Sequence, residues 1–293
     1  MGLRAMPKHR RRGRKTAPLL LLALLLLIAG IAAILTPVLT TELEMRHDAA
    51  EYAQLKAQAI EAPTKRPLQE MATEPAGPDR IPEMTISLQD AVPAPITDKT
   101  GGAGVDVLAC QAENADFIAW IQIPGTPVDY PVVLSDETEY YLNHTFSGKK
   151  SYLGTLFSLG HTDYRTPGRN IGIYGHHIRS KKDVMFSPLL AYKDRGFYAG
   201  HETIYLDSLY HSDAYTIFAV INMESGDWDP SATRFASDDD FLRFLRRAKS
   251  LSLYETGVEV TANDKILTLI TCDRDFIPKY GRLVVMAKRQ END

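Results

Sequence analysis

The sequence predicts a mainly β protein: a closed antiparallel β-barrel of about eight strands, with peripheral helices and an N-terminal transmembrane helix. Three observations predict it. From residue 120 onward, short apolar runs alternate with turn signals, the pattern of a barrel built from short strands. A single strongly amphipathic stretch, residues 238–249, interrupts those runs late in the chain and reads as a helix inserted between two late strands. Near the start, residues 17–39 are apolar and uncharged.

The chain has 293 residues, an apolar fraction of 44% and a formal net charge of −4. That charge argues against nucleic acid as a partner, although the first residues run the other way. Arg4, Lys8, Arg10, Arg11, Arg12, Arg14 and Lys15 are all cationic, with no acid among them. The next stretch explains the asymmetry. No charge occurs between Lys15 and Glu42, and residues 17–39 would extend about 35 Å as a helix, enough to cross a bilayer core. A cleaved signal peptide has an apolar region of only about 7–15 residues, so the length favours a retained anchor. With its basic flank, residues 1–16 form a cytoplasmic tail and the rest of the chain lies outside the cell, as a single-pass membrane protein.

Residues 42–62 are rich in helix formers and read as a helical stalk with a mostly polar surface. Residues 63–104 carry Pro63, Pro67, Pro75, Pro78, Pro82, Pro93, Pro95 and a Gly-Gly-Ala-Gly run, and read as a linker. Stalk and linker together occupy residues 40–104, and the folded domain is expected from 105 to 293. A short helix around Val107–Ile118 should lead into strands at 120–123 and 128–134, divided by a Pro-Gly-Thr-Pro turn. Further strands are expected at 154–158, 170–174, 202–206, 214–221, 258–260, 265–272 and 280–287, with a short helix at 184–192. The 238–249 helix opens on Asp238, Asp239 and Asp240 and ends in bases, matching the helix dipole, with Ser237 placed as N-cap.

Cys272 closes the 265–272 strand, where an apolar run gives way to a polar loop. Arg282 heads the next strand. A lone strand-end cysteine is more often a small core residue than a nucleophile. Here its setting suits acyl transfer. The thiolate is the attacking form of a cysteine and a nearby cation favours it, while an arginine can hold a developing oxyanion. Such a cysteine needs a histidine brought close by the fold. His176 and His177 follow an apolar strand and the turn residue Gly175, whereas His144, His161, His201 and His211 read as solvated loop. Adjacent side chains on a strand point apart and no cysteine lies near the histidine pair, so zinc is not expected.

At these residues the chain resembles the sortase family, most closely class B. Four segments carry the resemblance, across roughly residues 114–289. They are the NADFIAWIQIPGTPVDYPVV run from Asn114, Tyr140-Tyr-Leu142 with Gly154-Thr-Leu-Phe157, Asn170-Ile-Gly-Ile-Tyr-Gly-His-His177 with Met185-Phe-Ser-Pro-Leu189, and Thr268-Leu-Ile-Thr-Cys272 with Arg282. Two positions depart from the family's habit: Ile270, where Ser or Val is usual, and His177, where Asn is frequent. The resemblance implies a membrane-bound transpeptidase with Cys272 as nucleophile, His176 as general acid and base, and Arg282 as oxyanion holder. It implies Leu142, Tyr254 and Thr271 as substrate contacts. It also implies two partners, a C-terminal sorting-signal peptide and an amine of a peptidoglycan precursor; no cofactor or metal is required. The alternatives are a cysteine peptidase with water as acceptor, a pilus-type enzyme using a lysine, and an anchored binding domain in which Cys272 is structural. The second cysteine, Cys110, is not expected to bond Cys272, because a domain of this size needs no staple and the bond would block the reactive thiol.

Overall fold

A computed structural model of the protein describes residues 17–61, 104–136 and 140–291. The basic tail and nearly all of the Pro/Gly-rich linker lie outside these residues. The chain divides into two compact units, Met1–Arg46 and His47–Asp293.

Helix α1 is continuous over Ala17–Glu61. Within the first unit its leucines and isoleucines from Leu20 to Leu39 are exposed, and the helix is long and apolar enough to cross a membrane. Within the second unit the same helix behaves differently. Asp48, Tyr52, Leu55 and Ala59 recur every three or four residues, so they share one face, and all four are buried. Ser147 Oγ and Lys149 Nζ both donate to Glu51, at 2.5 and 3.0 Å, and Lys56 pairs with Asp129. Residues 47–61, set with the stalk in the sequence reading, therefore pack with the folded unit. The polar look of the stretch came from its outer face.

Truncation tests this. A fragment starting at His47 should match the whole chain in urea midpoint. One starting at Val105 should lose about 2 kcal/mol, since burying one large apolar side chain contributes about 1.5–3 kcal/mol and ordering the helix opposes it. Equal midpoints for the two fragments would show that the docked segment contributes nothing.

The barrel comprises β1 (Phe117–Gln122), β2 (Asp129–Ser135), β3 (Leu156–Leu159), β4 (Asn170–Tyr174), β5 (Thr203–Ser208), β6 (Ser212–Glu224), β7 (Ile266–Cys272) and β8 (Gly281–Arg289). They close in the order β1-β2-β3-β4-β7-β8-β6-β5. The expected closed eight-strand barrel with peripheral helices is present. Its pairing is not wholly antiparallel: six seams are, while β2–β3 and β4–β7 are parallel. Parallel neighbours need a long crossover. Residues 136–155 provide one, and β5, β6 and a helix together provide the other.

That helix is α4, Asp238–Leu251, so the insertion between late strands is where the sequence placed it. The Ser237 side chain accepts from the Asp240 amide at 3.2 Å. Phe241, Phe244, Leu245 and Ala248 pack on the outer face of the barrel against Ile221, Ile270, Val284 and Met286. Residues 258–260 are not a strand. Val258 and Val260 do alternate inward and pack against this cluster, but the closed barrel offers them no free edge.

Three smaller differences concern helices. Helix α2 is Val107–Glu113, capped by Asp106, and stops short because Phe117 and Ile118 belong to β1. The helix expected at 184–192 is a 3-10 helix, Ser187–Lys193, with proline in its first turn. The single-turn α3, Arg195–Tyr198, follows it.

Candidate active site

Parallel pairing of β4 with β7 sets the site. Tyr174 stands opposite Ile270, and the Gly175 amide donates to the Ile270 carbonyl at 3.2 Å. Two residues further along each chain come His176 and Cys272, so both leave the same barrel rim. The antiparallel strand β8 starts there, with Arg282 directly opposite Cys272. Directly opposed residues project on one face of a sheet. The three expected catalytic residues are thus brought together from three adjacent strands, and all three are partly exposed.

Gly175 allows the close approach. A Cβ there would fall 2.3 Å from Leu156 Cδ2 and 2.7 Å from the Phe186 ring. The Thr271 hydroxyl donates to the Gly175 carbonyl at 2.8 Å, pinning the peptide just before His176.

The two histidines take different partners. His176 Nε2 lies 2.9 Å from the Leu142 carbonyl. A carbonyl only accepts, so in the neutral ring Nε2 carries the proton and Nδ1 holds a free lone pair. Burial lowers the His176 pKa below the ordinary histidine value; the Leu142 bond opposes this, and the Arg274 charge adds to it. His177 Nδ1 donates to the carbonyl of Cys272 at 3.0 Å. Its pKa is also lowered, mainly by burial. The amide of an asparagine could make the same donation, which accounts physically for His177 replacing the more frequent residue.

The turn after Cys272 is held by Asp273, which is fully buried. Its Oδ1 accepts from the amides of Asp275 and Phe276, both at 3.2 Å, and its Oδ2 pairs with Lys193. Sequence reasoning missed both residues. An acid directly after the cysteine was the available signal, but its partner lies eighty residues upstream.

Beside Arg282 is a cleft of about 290 Å³ lined by Tyr174, Ile270, Met223, Trp228 and Asp229 among others. The expected substrate contacts sit as follows. Leu142 is beside the site and presents its carbonyl to His176. Thr271 is buried, and its hydroxyl is engaged by Gly175. The Tyr254 hydroxyl donates to the Tyr192 carbonyl, next to the Lys193 that pairs with Asp273, and its ring tilts against Tyr198. The neighbouring Leu253 amide bonds Val220, three residues along β6 from the Met223–Arg282 pair at the rim. Cys110 and Cys272 are both free, and burial pushes the Cys110 thiol up to about 12.

Residues 121–290 match the sortase domain family. The chain belongs to the sortase family. Its relatives are of class B. It is 32% identical over 199 residues to Sortase B of Listeria monocytogenes, covering 67% of this chain and 78% of that one. It is 31% identical over 175 residues to Sortase B of Staphylococcus aureus, covering 60% and 70%. Among solved structures, a Staphylococcus aureus sortase B–substrate complex matches with a TM-score of 0.59 at 28% identity, over 64% of this chain and 85% of that one. Clostridium perfringens sortase B matches with a TM-score of 0.58 at 31% identity, over 63% and 99%. This sortase is accordingly a cysteine transpeptidase of that family.

Arg282 gives a prediction of its own. Its Nη1 donates to the Gly281 carbonyl at 3.0 Å, which orients the guanidinium beside the cleft. Arg282→Lys keeps the charge and loses the planar fork. The expected result is a fall in kcat/KM for peptide cleavage of at least about 100-fold, the scale of losing an oxyanion donor. A near-normal rate would reduce Arg282 to a bulk positive charge.

Proposed function

We propose that this sortase cleaves a C-terminal sorting signal on the outer side of a cell membrane and transfers the protein to an amine of a peptidoglycan precursor. The observation that carries the reading is the meeting of His176, Cys272 and Arg282 on one rim of β4, β7 and β8. The Cys272 Sγ attacks the carbonyl carbon of a threonine in the signal as His176 Nδ1 takes the thiol proton. Arg282 donates to the oxygen that gains charge. Collapse breaks the peptide bond, and His176 gives its proton to the departing amine, leaving a thioester. The acceptor amine then attacks the thioester. His176 takes up its proton and returns it to the sulfur, so the enzyme emerges unchanged.

The apolar half of α1 supplies the anchor, with residues 1–16 cytoplasmic and the catalytic unit outside. Protease added to intact cells should remove the catalytic unit, and protection of it would reverse the orientation.

Incubating the purified protein with sorting-signal peptides and amines tests the reaction, with intact mass as the readout. A mass gain equal to the peptide's N-terminal part, released by an added amine as an amide product, supports the reading. Release by water alone, indifferent to any amine, would make the protein a peptidase.

His176 must be neutral to accept the thiol proton. Since burial lowers its pKa, the acid limb of kcat/KM should have its midpoint below about 6.5, the ordinary histidine value. A midpoint above that value would contradict a buried neutral base.

A further inference from the structure

The His176 ring donates through Nε2 to the Leu142 carbonyl at 2.9 Å. What holds that carbonyl is a loop, not a strand. Leu142 lies between two residues whose backbones are tied to a second segment: Thr155 N donates to Tyr141 O at 2.8 Å, and Ser151 N donates to Asn143 O at 2.9 Å. Both partners are anchored in turn by α1. The buried Tyr52 hydroxyl donates to the Gly154 carbonyl at 2.7 Å and lies 2.9 Å from Thr155 Oγ1. The Ser151 hydroxyl donates to Asp48 Oδ2 at 2.5 Å.

Gly154 closes the stack. Its φ of +65° is in the left-handed region, and a Cβ there would fall 2.6 Å from Tyr141 O and 2.8 Å from Leu142 O. The Gly154 backbone therefore lies directly against the peptide that holds His176. Tyr52 is one hydrogen bond from Gly154, and Gly154 is one packing contact from Leu142.

We infer that Tyr52, on the docked segment of α1, is a positioning residue for catalysis, fixing the Leu142 carbonyl and through it the orientation and tautomer of His176. This rests on the proposed acid–base role of His176. Without the Tyr52 hydroxyl the loop gains freedom where the carbonyl must stay. The imidazole then samples other orientations and the tautomer with the proton on Nδ1, which leaves no lone pair on Nδ1 to take the thiol proton. The cleft by Arg282 is lined by other residues, among them Tyr174, Met223, Trp228 and Ile270, so the loss is expected in kcat.

The test uses the full chain in detergent and the variants Tyr52→Phe, Lys56→Ala and His176→Ala. Tyr52→Phe keeps the buried ring and removes only the hydroxyl. Lys56→Ala removes a different contact of the same helix, the pair with Asp129. The measurements are kcat and KM for thioester formation, thermal midpoint, and the ¹⁵N signals of the histidine rings, with His176 assigned by its absence in His176→Ala. The inference expects Tyr52→Phe to lower kcat about tenfold at constant KM and to mix the His176 tautomers while His177 stays fixed. It expects Lys56→Ala to keep kcat within twofold. A wild-type kcat in Tyr52→Phe overturns it, as does a lowered kcat with an unchanged His176 spectrum. An equal loss in Lys56→Ala also overturns it, since general undocking would then be the cause. If instead His176→Ala retains the wild-type rate, the acid–base reading falls first.

Discussion

Replacing Cys272 by alanine should abolish thioester formation and transpeptidation, a loss of more than about 10⁴-fold, the scale seen when a covalent nucleophile is removed. The reason lies in what remains. Arg282 still lines the cleft and His176 still holds a lone pair on Nδ1, but no atom is left to form the acyl bond. Binding and charge stabilisation alone accelerate attack by water only weakly. Stability should barely change, because Cys272 is partly exposed at the rim and the β7 ladder needs only its backbone. The paired measurement is intact mass after incubation with a sorting-signal peptide, alongside thermal unfolding. Mass gain in the alanine variant would move the nucleophile elsewhere. A melting midpoint lowered by many degrees would instead make Cys272 the structural residue that a lone strand-end cysteine more often is.

Much of this site was legible because its signals are local. Cys272 stands where an apolar strand meets a polar loop, and Arg282 heads the next strand, so their antiparallel pairing follows from one short turn. The strand bounds at 170–174 were readable for the same reason, from an apolar run ending at Gly175. The parallel seams were not legible. Nothing in residues 129–135 states that their neighbour lies beyond a long crossover, and period-2 alternation is the same for either strand direction. Val258 and Val260 show the converse, since their alternation is real but no strand was left unpaired to receive them.

The other omissions share a cause. Leu142 was expected as a substrate contact; that it also presents its carbonyl to His176 was not legible, because every residue carries a carbonyl. Thr271 entered as a substrate contact through the family resemblance, and its buried hydroxyl donates to the Gly175 carbonyl, a partner ninety-six residues upstream that no local pattern announces. Asp273 and Lys193 lie far apart in the chain and meet only when the barrel closes. Residues 47–61 read as a spacer because one buried face of a polar helix is a weak signal. Backbone acceptors, alternation sense and long-range ion pairs are properties of the closed fold.

His176→Ala should lower the cleavage rate by about 10²–10⁴-fold, the usual scale for a general acid–base group, and His177→Ala by about tenfold or less. The two are adjacent in the chain, so the contrast tests geometry rather than neighbourhood. His176 is held through Nε2 by Leu142, leaving Nδ1 with a lone pair, and follows β4 at the rim where β7 ends in Cys272. His177 spends Nδ1 on the carbonyl of Cys272, a backbone contact for which no part in proton transfer is expected. His177→Asn should recover most of the rate lost in His177→Ala, since the carboxamide can donate to the same carbonyl, whereas no such rescue is expected for His176→Asn. The pH profile separates the roles again. His177→Ala should keep the acid limb where the wild type has it, and His176→Ala should lose the limb from the residual rate. Equal losses in the two alanine variants, or an acid limb that vanishes with His177 and survives without His176, would exchange the assignments.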